Sequence, residues 1–116
     1  RQKFYYQDVE DTYKKVAETF SPFDNVIIVR GVIPDILANF ETDDIAFLHI
    51  DMDSTAPEIA AIEYFWDKII SAGTILLNNY AYPGYEGNKK ACDKFAESKD
   101  LTVLTIPTGQ GLILKP

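Results

Sequence analysis

The chain has 116 residues, 47% hydrophobic and 25% charged, the balance of one soluble globular domain spanning residues 1–116. Its 11 basic and 18 acidic residues leave a formal charge of −7, which argues against non-specific nucleic-acid binding and against docking on an anionic membrane. No apolar run reaches the roughly 20 residues of a membrane helix, and Cys92, the one cysteine, excludes an internal disulfide or a multi-cysteine zinc site and fits a reducing cytoplasm.

Arg1 stands where an initiator Met would, with no signal-peptide pattern behind it, so the chain reads as part of something longer. Residues 4–20 carry Tyr6, Val9, Tyr13, Val16, Ala17 and Phe20 at helical spacing, which predicts an amphipathic helix. Ser21-Pro22-Phe23-Asp24-Asn25 breaks it. Residues 26–30 (Val-Ile-Ile-Val-Arg) form a short β-branched run, read as a strand ended by Gly31. Pro34 suits the first turn of a short helix over 35–40. Ile45–Ile50 is apolar at nearly every position and predicts a central parallel strand buried on both faces.

Thr55 and Glu58 have the spacing of a capping box, with Pro57 in the first turn, and Ile59, Ile62, Phe65, Trp66 and Ile69 mark the buried face of a helix running to about residue 70. Ala72-Gly73 would stop it. A strand over 74–77, a Tyr/Gly/Pro loop over 80–87 and a helix over 88–98 follow. Residues 101–106 and 111–114, joined by Pro107-Thr108-Gly109-Gln110, read as an antiparallel hairpin. Alternation of this kind means α/β with a mostly parallel sheet.

Two of these strands end in oxygen-bearing side chains: Asp51 and Asp53 after the first, Asn78 and Asn79 after the second. Parallel strands joined by a helix bring both sets to one sheet edge, where open α/β sheets bind their ligands. Asp51, Asn78 and Asn79 offer one carboxylate and two amide carbonyls to a cation such as Mg²⁺, a weaker set than two carboxylates and an amide. Asp51 or Asp53 could instead act as general base. The plainer reading is that Asp53 and Ser54 cap the next helix and that the Asn pair ties a turn. His49, inside an apolar strand, reads as a satisfied buried histidine, and Trp66 and Cys92 as packing residues. Tyr80, Tyr82 and Tyr85 crowd one loop, where they would line a substrate pocket or make a protein contact.

Taken in order, these segments resemble the macrocin O-methyltransferase group of class I S-adenosylmethionine-dependent methyltransferases. The likeness rests on Gly31-Val-Ile-Pro-Asp-Ile-Leu37, Asp51-Met-Asp53, Ala72-Gly-Thr-Ile-Leu-Leu-Asn-Asn-Tyr80, Pro83-Gly84 and Ala91-Cys-Asp-Lys-Phe95, and covers roughly residues 26–116. It implies a three-layer Rossmann-like sheet, mostly parallel with a C-terminal antiparallel hairpin. It also implies O-methylation of a small-molecule hydroxyl with S-adenosylmethionine as cofactor. Asp51 and Asp53 become catalytic candidates, Asp51, Asn78 and Asn79 metal candidates, and Tyr80 and Tyr82 substrate contacts. Catechol O-methyltransferase is a more distant likeness; there a bound metal holds two substrate oxygens and acidifies the hydroxyl to be methylated. Two departures stand out: Asn78 replaces an Asp of both families, and Ser54 stands where the catechol enzymes hold a catalytic Lys. The glycine-rich loop after the family's first strand and the ribose-binding acid after its second are not in these residues. The expectation is therefore a sheet lacking its first two strands, inactive alone. Residues 26–30 would then pair with Ile45–Ile50, pair across to a second copy in a homodimer, or lie unpaired.

Other readings remain at this point. A nucleotide-sugar glycosyltransferase would use Asp51-Met52-Asp53 to hold a metal and diphosphate, although the Asn-Asn-Tyr and closing hairpin favour the methyltransferase. A receiver-like module would use Asp51 as phosphoacceptor, but no acidic pair follows residues 26–30. A non-catalytic α/β scaffold is the third, given Asn78.

Overall fold

The computed structural model describes residues 2–116, with side chains from residue 10 onward. The chain falls into two compact units, Arg1–Val32 and Ile33–Pro116.

The first unit is built on α1, Gln2–Phe20. Tyr6 and Val9 of the predicted stripe lie outside the described side chains; Tyr13 and Ala17 are half-buried, whereas Val16 and Phe20 are exposed. The run 26–30 is not a strand: it has no ladder partner among the described residues, and Ile27 is 88% exposed. β-branched residues favour extended backbone, but a strand needs a neighbour to take its hydrogen bonds. Arg30 instead reaches back to α1, paired with Glu10 and with its guanidinium 5.1 Å from the Tyr13 ring centroid.

In the second unit the predicted helix at 35–40 is a single 3₁₀ turn, Leu37–Asn39. A four-stranded sheet follows, made of β1 (Ile45–Ile50), β2 (Ile69–Leu77), β3 (Leu104–Thr105) and β4 (Gly111–Leu114), in the order β1-β2-β4-β3. Helix α2 (Thr55–Trp66) links β1 to β2, and α3 (Glu86–Ser98) links β2 to the final hairpin. The class is α/β as expected, but the sheet is mixed rather than mostly parallel: only β1 and β2 run parallel. The expected strand 101–106 narrows to the two residues of β3. No helix among the described residues is long and apolar enough to cross a membrane.

β1 lies at the edge of the sheet, not its centre, so the expectation of burial on both faces fails. Ala46, Phe47 and His49 are exposed, and the Phe47 and His49 ring centroids are 6.4 Å apart on one face. The opposite face carries the core. Ile75, Leu77 and Ile113 point into it and are fully buried with Ile62 of α2 and Cys92 of α3. Phe65, Trp66 and Phe95 complete the packing, the Trp66 and Phe95 rings meeting edge to face at 5.4 Å.

α2 is shorter than predicted because β2 begins at Ile69. The first residues of β2 bulge out of the ladder: Ile45 pairs with Ile69, but Phe47 pairs with Thr74. Ala72 adopts φ 68 in this bulge. Gly73 is needed there for space, not as a helix stop; a Cβ would meet Ile69 Cγ2 at 2.5 Å and the Ile70 carbonyl oxygen at 2.8 Å.

The capping box does not form. The Thr55 hydroxyl donates to Asn88 Oδ1 at 2.8 Å, and Glu58 is buried and accepts from the Cys92 thiol at 3.6 Å. Both polar groups tie α2 to α3 instead of closing the turn of α2. Burial is the main force pushing the Glu58 carboxyl above its ordinary range, and the charge of Asp51 adds to it. Burial likewise pushes the Cys92 thiol up to about 12, which keeps it in the un-ionised, unreactive form at neutral pH.

Candidate active site

The sheet register builds the site. Ile50 pairs with Leu77, and the Asn78 backbone N–H donates to the Ile50 carbonyl at 3.0 Å, so Asp51 and Asn78 leave adjacent strands side by side. On the other side Leu77 pairs with Gly111, which sets Gln110 beside Asn78. Asp51, Asn78 and Gln110 therefore form a row across three neighbouring strands at one edge of the sheet. Gln110 had no motif around it; only the return of the hairpin against β2 reveals it.

The row is joined by hydrogen bonds with a fixed direction. Asn78 Nδ2 donates to Asp51 Oδ1 at 3.0 Å. Gln110 Nε2 donates to Asn78 Oδ1 at 2.8 Å. The Thr108 hydroxyl donates to Gln110 Oε1 at 2.7 Å. A carboxylate can only accept, so Asp51 obliges Asn78 to present its NH₂. Asn78 must then offer its carbonyl to Gln110, and Gln110 its own carbonyl to Thr108. The orientation of both amides follows from the charge at the end of the chain.

Asn79 turns its amide to the Met52 carbonyl at 3.2 Å, and its Oδ1 lies 3.4 Å from Asn78 Nδ2. Asp53 accepts from the Tyr85 hydroxyl at 3.1 Å, which fastens the strand end to the 80–87 loop. Asp51 and Asp53 are exposed; Asn78 and Asn79 are half-buried. Beside Asp51 a groove of about 610 Å³ runs along β1, walled by Ile33, Phe40, Met52 and Phe65.

The two tyrosines read as substrate contacts part company. Tyr82 is 55% exposed on the loop. Tyr80 is buried, its hydroxyl bonded to Asp93 and its ring 4.9 Å from Lys89 Nζ. Tyr80 thus faces α3 and does not line the groove. Burial, and then the bond to Asp93, raises its phenol above the usual range. His49, expected to be buried and satisfied, is exposed and lines the groove beside Asp51.

The residues that an Mg²⁺ ion would need do not fit it as they are arranged. A hard divalent cation takes oxygen ligands, yet the group that Asn78 turns toward Asp51 is its NH₂, and its carbonyl is engaged by Gln110. Among the described residues no group of three or more His, Cys, Asp or Glu is placed to hold a metal.

Oxygen donors gathered at the carboxyl ends of a parallel pair, closed by an antiparallel hairpin, define an α/β chain with a polar strand-end site. Residues 5–106 match the family described as Macrocin-O-methyltransferase (TylF). The chain belongs to that family. The match begins upstream of the motifs quoted above and takes in most of α1 and the 26–30 run. Comparison with curated proteins finds no match.

Proposed function

We propose that this chain is part of an S-adenosylmethionine-dependent O-methyltransferase acting on a hydroxyl of a small molecule, and that it supplies the acceptor side of the site. The observation that carries the reading is the row Asp51–Asn78–Gln110 at the carboxyl ends of β1 and β2, inside the segment that matches the family.

Asp51 is the residue proposed to take the proton of the acceptor hydroxyl. Its Oδ1 is held by Asn78, and its Oδ2 has no hydrogen-bond partner among the described residues. A carboxylate fixed by one oxygen and open at the other can accept a proton from a hydroxyl brought within hydrogen-bond reach. Asp53, bonded to Tyr85, holds the loop against the strand end so that Tyr82 overhangs solvent beside it. S-adenosylmethionine, when bound, supplies the electrophilic methyl group. The glycine-rich loop and ribose-binding acid that the resemblance implies are not among the 116 residues. The chain alone is proposed to be inactive. A cytoplasmic setting belongs to the same reading.

The glycosyltransferase reading is weaker on this geometry, since Asp51 and Asp53 are tied to different partners, Asn78 and Tyr85. The test is calorimetric titration of S-adenosylhomocysteine into this chain and into a longer one carrying the parent sequence upstream. Binding to the longer chain alone supports the proposal. No binding to either overturns it.

A further inference from the structure

We infer that the place a divalent cation would take between Asp51 and residue 78 is filled in this protein by the Asn78 side-chain amide, locked there by Gln110, so that the site works without a metal ion. The inference stands on the geometry of the row; only its meaning for catalysis rests on the methyltransferase reading.

The first ground is the acceptor-only character of Asp51, which draws the Asn78 NH₂ toward itself at 3.0 Å. The second is Gln110, whose amide donates to Asn78 Oδ1 at 2.8 Å. Turning the Asn78 carbonyl toward a cation would break both bonds at once and leave the Gln110 donor facing an NH₂. The third is Thr108, which fixes Gln110 itself by donating to its Oε1 at 2.7 Å. The Asn79 amide N–H is held by the Met52 carbonyl, and its Oδ1 faces the same Asn78 NH₂ at 3.4 Å. Among the described residues the row holds one carboxylate, that of Asp51, and one carboxylate is a thin ligand set for an octahedral ion. The Asn78 amide brings a partial positive charge to Asp51 where a divalent cation would bring two full ones. Gln110 is a positioning residue in this scheme, acting through Asn78.

The experiment is titration of Mn²⁺, followed by water proton relaxation, into the wild-type chain and its Asp51→Asn and Asn78→Asp variants, with circular dichroism confirming the fold of each. The expected result is that wild type binds Mn²⁺ no better than Asp51→Asn, and that Asn78→Asp binds it at least about tenfold more tightly. Wild-type binding that Asp51→Asn abolishes would overturn the inference. So would a folded Asn78→Asp variant that gains no affinity. If that variant does not fold, the comparison of wild type with Asp51→Asn decides alone. The role of Gln110 is read from the side-chain amide resonances of Asn78, which should move on Gln110→Leu while those of Asn39 do not; unmoved Asn78 resonances remove Gln110 from the scheme. None of these readouts depends on cofactor binding, so failure here and failure of the methyltransferase reading are separate events.

Discussion

Gly111 lets β4 approach Tyr80 closely, and so sets where Gln110 meets Asn78. Adding a Cβ at this position would place it 2.7 Å from Tyr80 Cγ, 2.9 Å from Tyr80 Cδ2 and 2.8 Å from Val103 Cγ1. The Tyr80 ring cannot easily retreat, because its hydroxyl is bonded to Asp93 and Lys89 lies over its face. Overpacking of a filled core costs about 1–3 kcal/mol. Replacing Gly by Ala returns roughly 0.5–1 kcal/mol through the unfolded chain. With both contacts to the held ring under 3 Å, the upper part of the overpacking range, about 2–3 kcal/mol, applies, so Gly111→Ala should destabilise by about 1–2.5 kcal/mol, a fall of roughly 4–12 °C in Tm for a chain of this size. Urea denaturation measures it. Val103→Ala removes one of the clashing atoms, so Gly111→Ala should cost less in that background, with a coupling of at least about 0.5 kcal/mol. A Gly111→Ala variant as stable as wild type, or strict additivity with Val103→Ala, would refute the packing argument.

Ala72 adopts φ 68 in the β2 bulge, a left-handed conformation that costs a residue with a Cβ about 1–2 kcal/mol. Ala72→Gly relieves that strain against a loss of roughly 0.5–1 kcal/mol from the freer unfolded chain. A net gain of up to about 1.5 kcal/mol should appear in thermal denaturation, and a loss of stability would contradict the strain. The raised pKa of Glu58 gives a pH signature. The folded carboxyl keeps its proton to a higher pH than the unfolded one, whose ordinary value is 4.5. The native state therefore binds more protons between the two values, and stability falls as pH rises from about 4.5, levelling off above the folded pKa. Glu58→Gln cannot ionise, so its stability relative to wild type should rise across that window; a pH-independent difference would show that Glu58 is not the group responsible.

The α/β class, the α2 and α3 helices, the β1 strand and the closing hairpin were legible because periodicity and turn residues act locally. The motifs after β1 and β2 pointed to the family for the same reason: Asp51, Asp53, Asn78 and Asn79 lie where a strand must end. Local pattern failed wherever a neighbour decided. Residues 26–30 have the composition of a strand and no strand to pair with among the described residues. Thr55 and Glu58 have the spacing of a capping box, but α3 offered them Asn88 and Cys92. Ala72-Gly73 reads as a helix stop and is a bulge within β2. Tyr80 belongs to a loop rich in aromatics and is buried against Asp93.

The sequence by itself therefore determined which side chains carry oxygen at the ends of strands, and the family the chain belongs to. Only the tertiary structure decided what those oxygens face. The Asp51–Asn78–Gln110 row exists because β1 pairs with β2 and β2 with β4 in one particular register. Gln110 is 32 residues from Asn78 along the chain. Hydrogen-bond direction then spreads from the one group in the row that cannot donate, the Asp51 carboxylate, and no local pattern of residues encodes that.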